Sequence, residues 1–191
     1  MDVIRLRPTV DADRPDFIRL VSQTMDPLIK RSVPHAAEDM VATYWKTRKV
    51  SRTIVSTANG AFCGYCNLRF EEPERPEIGI ELVKSYRGRG IGPLALRMLI
   101  EEQEGRHGVN WYRAVVVGDN HASVAMMRKL NAVPDGLRLT PWLDDELAQA
   151  IEGRYEDNID DAMRATADWF GVDPTKLLTH RLLFRVPAKI K

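Results

Sequence analysis

The sequence predicts an α/β (α+β) protein, a mixed sheet flanked by helices, and three observations predict it. Strand-like and helix-like apolar patterns alternate along the chain, the mark of helices packed on a sheet. Asn59-Gly60 joins two strand-like runs, 52–57 and 61–70, and this dipeptide is the strongest short hairpin signal. From Glu77 an apolar strand runs into a basic, glycine-rich turn, with an amphipathic helix immediately behind it.

The elements follow in order. Residues 3–8 read as a strand, with Val3, Ile4 and Leu6 apolar. A helix is expected from about Asp13, placing Phe17, Leu20 and Val21 on one face. Residues 26–35 form a loop broken by Pro27 and Pro34, and a second helix runs from Ala37 to Thr47 through Met40, Val41, Tyr44 and Trp45. After the hairpin and a polar break at 71–76 comes the strand 77–83, then a helix from Pro93 to Glu104 that Gly105 stops. Trp111–Val117 reads as a buried strand, broken by Gly118-Asp119-Asn120, and a helix covers Ala122 to Leu130. Between Pro141 and Pro174 two helical patterns intervene before a last strand at 179–186. One holds Trp142, Leu143, Leu147 and Ile151. The other holds Ile159, Ala162, Met163, Thr166, Trp169 and Phe170 on one face, ended by Gly171. This segment is either a helical hairpin capping the fold, or a lid over a second substrate or a dimer contact.

The turn after the strand carries the chemistry. Gly88, Gly90 and Gly92 let the backbone approach a ligand closely. The first N–H groups of a helix lack partners within the helix, and its dipole adds partial positive charge, worth about 0.3–1 kcal/mol toward an anion. Arg87 and Arg89 add full charges, and Pro93 suits a first helical turn, where a missing N–H costs nothing. A pyrophosphate on this turn, with the rest of its ligand along the strand end, fits the pattern. A dinucleotide-binding loop would need glycine in place of Pro93, and a P-loop would need a Gly-Lys-Ser/Thr ending.

Composition bounds the rest. A single domain spanning 1–191, with 141–174 as its insertion, is expected from 191 residues, of which 44% are hydrophobic. A formal net charge of +1 gives no general pull toward nucleic acid or an acidic membrane. No apolar run approaches the ~20 residues of a membrane span, and residues 1–5 lack a signal-peptide layout, so a cytoplasmic location is the expectation. The two cysteines, Cys63 and Cys66, make a C-x-x-C. Zinc would need a second ligand pair, and a redox pair would start a helix. Here the motif lies in a strand, where side chains three residues apart are expected to face opposite ways.

The turn resembles that of the GNAT superfamily of acyl-CoA-dependent N-acyltransferases. Arg87, Gly90 and Gly92 match its Arg/Gln-x-x-Gly-x-Gly/Ala signature. The approach 77–90 resembles the branch that acetylates ribosomal protein N-termini, as does the opening 4–20. Residues 119–133 resemble that branch's second motif, Asn-x-x-Ser followed by a helix. The resemblance covers about residues 4–133 and a last strand. It implies one mostly antiparallel domain, with acetyl-CoA as co-substrate and no metal. The acceptor it implies is a small-molecule or peptide amine, with no stable nucleic-acid or membrane partner, and the protein would be a monomer or homodimer.

What the resemblance implies for residues is specific. Ile80, Glu81 and Leu82 would hold the pantetheine arm by main-chain atoms, and an N–H near Leu82 would polarise the thioester carbonyl. Arg87, Gly88, Arg89, Gly90, Ile91, Gly92 and Pro93 would hold the pyrophosphate, and Asn120 would hydrogen-bond the pantetheine. The attacking amine must lose a proton, since an alkylamine is neutral about once in 2,500 molecules at pH 7. Glu81 and Glu77, four residues apart on one strand and so on one face, are the candidate bases, acting directly or through water. The position where many relatives carry a general-acid Tyr holds Met127. Either no dedicated acid exists, the thiolate leaving unaided, or Ser123 serves. Ser123 could equally cap its helix. Asn131-Ala132 replaces the family's usual Gly-Phe after that helix. His35 and His121 read as surface residues. The competing functions are a non-catalytic acyl-CoA-binding or sensing module, which Met127 supports, and a nucleic-acid-associated factor, which the near-neutral charge opposes.

Overall fold

The computed structural model of the protein describes residues 3–25, 31, 33, 35–72 and 74–189. The chain divides into two units, Met1–His107 and Gly108–Lys191.

In the first unit β1 (Ile4–Pro8), β2 (Val50–Ser56), β3 (Phe62–Arg69) and β4 (Glu77–Leu82) lie side by side in chain order, each pair antiparallel. The Asn59-Gly60 turn makes the β2–β3 hairpin, with Gly60 in the left-handed region (φ 70°). Helices α1 (Arg14–Thr24) and α2 (Ala36–Thr47) flank one face. The Phe17 ring of α1, 1% exposed, stacks on Tyr65 of β3 at 4.3 Å and meets Phe62, Trp45 and Tyr44 at 5.6, 5.0 and 5.8 Å. Aromatic pairs of this kind contribute about 0.5–1.5 kcal/mol each beyond the area they bury. Of the apolar residues named for α2, Val41 is buried and Met40 is exposed, and Ala37 is buried beside Val41. Helix α3 (Ile91–Glu102) starts two residues before the sequence expectation of Pro93, because Gly90 already adopts the entry conformation, and ends two before Glu104. It buries Ile91, Ala95, Leu96, Leu99 and Ile100, a stripe at helical spacing worth roughly 1.5–3 kcal/mol for each large side chain. Its last residue, Glu102, takes two hydrogen bonds from the Arg52 Nε of β2, at 2.8 and 3.0 Å. That guanidinium holds the Glu102 carboxyl below its ordinary range.

The hairpin carries a β-bulge. Ile54 pairs with Gly64 but Val55 with Phe62, so Cys63 is an extra residue. Phe62 and Tyr65 are three apart, yet both touch Phe17. The bulge thus resets the strand's alternation, and the rule that side chains three apart face opposite ways fails across it. Both cysteines are fully buried and neither is in a disulfide. Burial pushes the Cys66 thiol well up, the reverse of a reactive thiol.

In the second unit the strand order is β5 (Trp111–Val117), β7 (His180–Pro187), β6 (Val133–Leu139), again antiparallel. Helix α4 (His121–Lys129) ends with Asn131 at φ 55°, the Asn131 N–H donating to Arg128 (3.1 Å) and the Ala132 N–H to Met127 (3.0 Å). That is a Schellman ending, and Asn is the usual substitute for Gly there, which accounts for the missing glycine. Helices α5 (Asp145–Arg154) and α6 (Asp161–Phe170) occupy the insertion. Trp169 and Phe170 of α6 pack on buried Phe184 of β7 at 5.4 and 5.0 Å. Two expected faces are corrected. Helix α5 begins after Trp142 and Leu143 and buries Ala148 and Glu152, leaving Leu147 exposed. In α6, Met163, Thr166 and Ala167 are buried but Ala162 is exposed. No helix among the described residues is long and apolar enough to cross a membrane.

Candidate functional site

Strand β4 presents its two edges differently. The Val83 N–H donates to the Cys63 carbonyl of β3 at 2.9 Å, and the register pairs Glu81 with Tyr65. In an antiparallel ladder hydrogen-bonded pairs alternate, so Glu77, Gly79 and Glu81 turn their main-chain groups to β3. Ile80 and Leu82 turn theirs to the other edge. Gly64 shows the closeness on the β3 side: at φ 148°, a Cβ there would lie 2.1 Å from the Glu81 carbonyl oxygen. Of the three residues expected to hold an arm by main-chain atoms, Ile80 and Leu82 face outward, while Glu81 offers its side chain.

Beyond β4 a short 3-10 turn, Lys84–Tyr86, leads to the glycine loop. Gly88 and Gly90 are both left-handed (φ 72° and 78°) and exposed. Gly90 is the N-cap of α3 and supplies no side-chain cap, and the first helical bond is Leu94 N–H to Gly90 C=O. A Cβ on Gly88 or Gly90 would meet nothing within 4 Å, so open space lies over the helix start. Arg87 folds back, its Nε–H donating to the Leu82 carbonyl at 2.8 Å, and the Arg89 guanidinium sits 5.7 Å from the Tyr86 ring centroid. The turn therefore gathers two guanidiniums and the positive end of a helix dipole just beyond β4, which suits a ligand with an anionic head.

The two candidate bases share a face, as their spacing predicts, but their partners differ. Glu77 is ion-paired with Arg69, its cross-strand neighbour on β3. Glu81 accepts from the Thr24 hydroxyl at the end of α1 through Oε1 and from the Tyr65 hydroxyl at 3.0 Å through Oε2. Burial, then the nearby Glu81 charge, pushes the Tyr65 hydroxyl far up, so it stays protonated and donates. Sequence reasoning missed Tyr65 and Thr24. Only the β3–β4 register could have named Tyr65, and nothing local signals Thr24.

Asn120 and Ser123 lie in the second unit. Asn120 is the N-cap of α4: its Oδ1 accepts the Ser123 N–H at 3.0 Å. The capping role considered for Ser123 thus belongs to Asn120. Met127 is 2% exposed and belongs to that unit's core. His121 is exposed, as read, and its Nε2 lies 2.8 Å from Asp160 Oδ2 at the start of α6. His35 is exposed, 3.9 Å from Glu38. Most of the expected loop 26–35 lies outside the described residues. Among the described residues no group of three or more His, Cys, Asp or Glu is placed to hold a metal.

The fold is that of an acyl-CoA-dependent N-acetyltransferase. Residues 4–133 match the acetyltransferase (GNAT) domain model, and the chain belongs to that family. No curated protein matches the chain. Among solved structures it is similar to a GNAT phosphinothricin acetyltransferase of Sinorhizobium meliloti, determined with acetyl-CoA, at 17% identity, TM-score 0.63, with 96% of this chain and 88% of that one covered. It is also similar to the ribosomal-protein-S18-alanine N-acetyltransferase of Escherichia coli (14%, TM-score 0.60, 99% and 96%). A GNAT acetyltransferase of Streptococcus pneumoniae gives 18%, TM-score 0.59, 96% and 98%.

Proposed function

We propose that the whole chain, the 141–174 segment included, works as a single domain that transfers an acetyl group from acetyl-CoA to a primary amine by direct attack in a ternary complex. The observation that carries this is the continuity of β4 with its turn: the outward main chain of Ile80 and Leu82 leads straight to the exposed Gly88–Gly90 loop over α3. In this reading the amides from Gly88 to Gly92, with Arg87 and Arg89, hold the pyrophosphate. Ile80 and Leu82 pair with the pantetheine amides, and the Leu82 N–H polarises the thioester carbonyl. Asn120, its oxygen spent on the cap, has its amide nitrogen for the pantetheine.

Glu81 takes one proton from the acceptor ammonium. The neutral amine attacks the thioester carbon and a C–N bond forms, the C–S bond breaks, the thiolate leaves, and the nitrogen gives up its second proton to solvent as the amide forms. Glu77, committed to Arg69, ranks second as base. Ser123 ranks as an acid only if the thiolate needs one, and with an ordinary thiol pKa of about 8.5 it need not. The buried Met127 favours one other reading, a module that binds acyl-CoA without turning it over. Thiol release from acetyl-CoA, measured across peptides, polyamines, amino acids and aminoglycosides, separates the two. Release that depends on an amine supports transfer. Saturable CoA binding with no amine-dependent release supports the module.

A further inference from the structure

We infer that Tyr65 and Thr24 are positioning residues that hold Glu81 ready to take and keep the acceptor's proton, an inference that rests on the transfer reading above. The geometry divides the labour between them. Each donates to a different carboxylate oxygen, Thr24 to Oε1 and Tyr65 to Oε2, so the carboxylate plane is fixed while one lone pair on each oxygen stays available. Tyr65 cannot swing away. Its ring is stacked on Phe17 and sits opposite Glu81 in the β3–β4 register.

Thr24 does something Tyr65 does not. Its single hydroxyl proton has three acceptors within reach: Glu81 Oε1, the Leu20 carbonyl at 3.1 Å and the Val21 carbonyl at 3.3 Å. While Glu81 is ionised, Thr24 donates to it. Once Glu81 has gained the ammonium proton, the new O–H on Oε1 can donate to Thr24 Oγ1, and the Thr24 proton turns to a helix carbonyl. No bond is lost on rotation, so both protonation states of Glu81 are satisfied without moving heavy atoms. Glu81 is half-buried, and without such a two-way partner one of its states would have to rely on water alone. The balance is simple: an N–H bond of the ammonium breaks, an O–H bond of Glu81 forms, and the neutral amine is left.

The charged surroundings are few. On β3 they are Tyr65 itself and Arg69, which is committed to Glu77. On α2 Tyr44 stands behind Tyr65. On α1 the Asp16–Arg19 pair is exposed and satisfied internally.

The test uses the full chain and two readouts. The Glu81 carboxyl carbon is followed by NMR titration, which needs no substrate, and kcat/KM for amine acetylation is followed against pH. Tyr65→Phe keeps the ring and removes a donor to the charged form, so both the Glu81 titration and the acid limb of the rate profile should move upward by about half to one pH unit. Thr24→Val removes the partner of both states, so kcat should fall about tenfold or more with a smaller shift of the limb, and Thr24→Ser should restore it. A carboxyl titration that moves in Tyr65→Phe while the rate profile stays put would overturn the proposal, since Glu81 would be held but not used. A titration that does not move would overturn it as well. A wild-type protein that titrates normally yet releases no thiol with any amine would sink the transfer reading itself, a distinct result.

Discussion

The start of α3 and the starts of the elements in the insertion solve one problem in opposite ways. Every helix leaves its first N–H groups without partners inside the helix. In the insertion an aspartate meets this need at both α-helices: Asp144 caps α5 by accepting the Leu147 N–H and Asp160 caps α6 by accepting the Met163 N–H, while Asp173 accepts Thr175 in the 3-10 turn Pro174–Leu178 and the 3-10 turn Glu156–Asn158 has no side-chain cap. At α3 the cap is Gly90, with no side chain to offer, exposed and beneath open space. The aspartate caps of α5 and α6 have extended backbone, whereas Gly90 is left-handed at φ 78°, a conformation that suits glycine and leaves no side chain over the first amides. The two α-helices of the insertion, by contrast, have their first amides satisfied by side chains of the insertion itself. Buried Glu152 of α5 accepts Lys176 at 2.8 Å and Thr179 at 2.5 Å, closing the segment onto the entry to β7. Burial opposes the Glu152 charge, yet those two donors outweigh it and hold the carboxyl below its ordinary range.

Converting one kind of helix start into the other is the sharpest way to break this contrast. Gly90→Asp should put a carboxylate where the diphosphate is proposed to sit, at a left-handed position that an L side chain adopts only with strain. Affinity for CoA should drop by about a hundredfold or more, since like charges ~4 Å apart cost about 1–4 kcal/mol per pair near a surface, while the melting temperature stays within a few degrees. Titration calorimetry and thermal melts check the two halves.

Next in size is Gly64→Ala, which forces a Cβ against the Glu81 carbonyl. It should destabilise the protein by about 2–3 kcal/mol and weaken CoA binding through displacement of β4, read by denaturant unfolding and calorimetry together. Smaller is Asp144→Ala, which removes a cap from the insertion and should cost about 1 kcal/mol with CoA affinity unchanged. A loss of affinity there would mean that the insertion takes part in donor binding.

The smallest and most gradual effect is the response to acid. Asp13 is held low despite its burial, by Arg7 at 2.5 Å, the Val10 N–H and Thr53, and Glu102 and Glu152 are held low as described. Groups depressed in the folded state contribute fully above their unfolded values, about pH 4, and lose that contribution as pH falls through the folded values. Melting temperature should be flat from neutral to about pH 5 and fall below about pH 4.

The turn was legible in the sequence because its signals are local: a strand, three glycines and two arginines within a few residues, each with a conformational reason. The hairpin at Asn59-Gly60 was legible for the same cause. What escaped was set by register. The bulge at Cys63 put Phe62 and Tyr65 on one face against simple alternation, and no residue announces it except a glycine that must sit under the Glu81 carbonyl. Tyr65 meets Glu81 only because β3 and β4 pair as they do across a polar connection whose length fixes nothing. Likewise, Trp142 and Leu147 looked like one helical stripe with Ile151, but Asp144 starts the helix later and turns Ala148 and Glu152 inward. Spacing identifies an amphipathic segment and the cap decides its phase.

The central claim is that the uncapped start of α3 and the outward edge of β4 receive acetyl-CoA. Backbone amide NMR during titration with CoA tests it most directly. The account predicts the largest shifts at Gly88, Gly90, Ile91, Gly92, Ile80 and Leu82, with the amides of Leu147, Met163 and Thr175 at the aspartate-capped starts unmoved. Saturable binding that leaves the Gly88–Gly92 amides unshifted would contradict it.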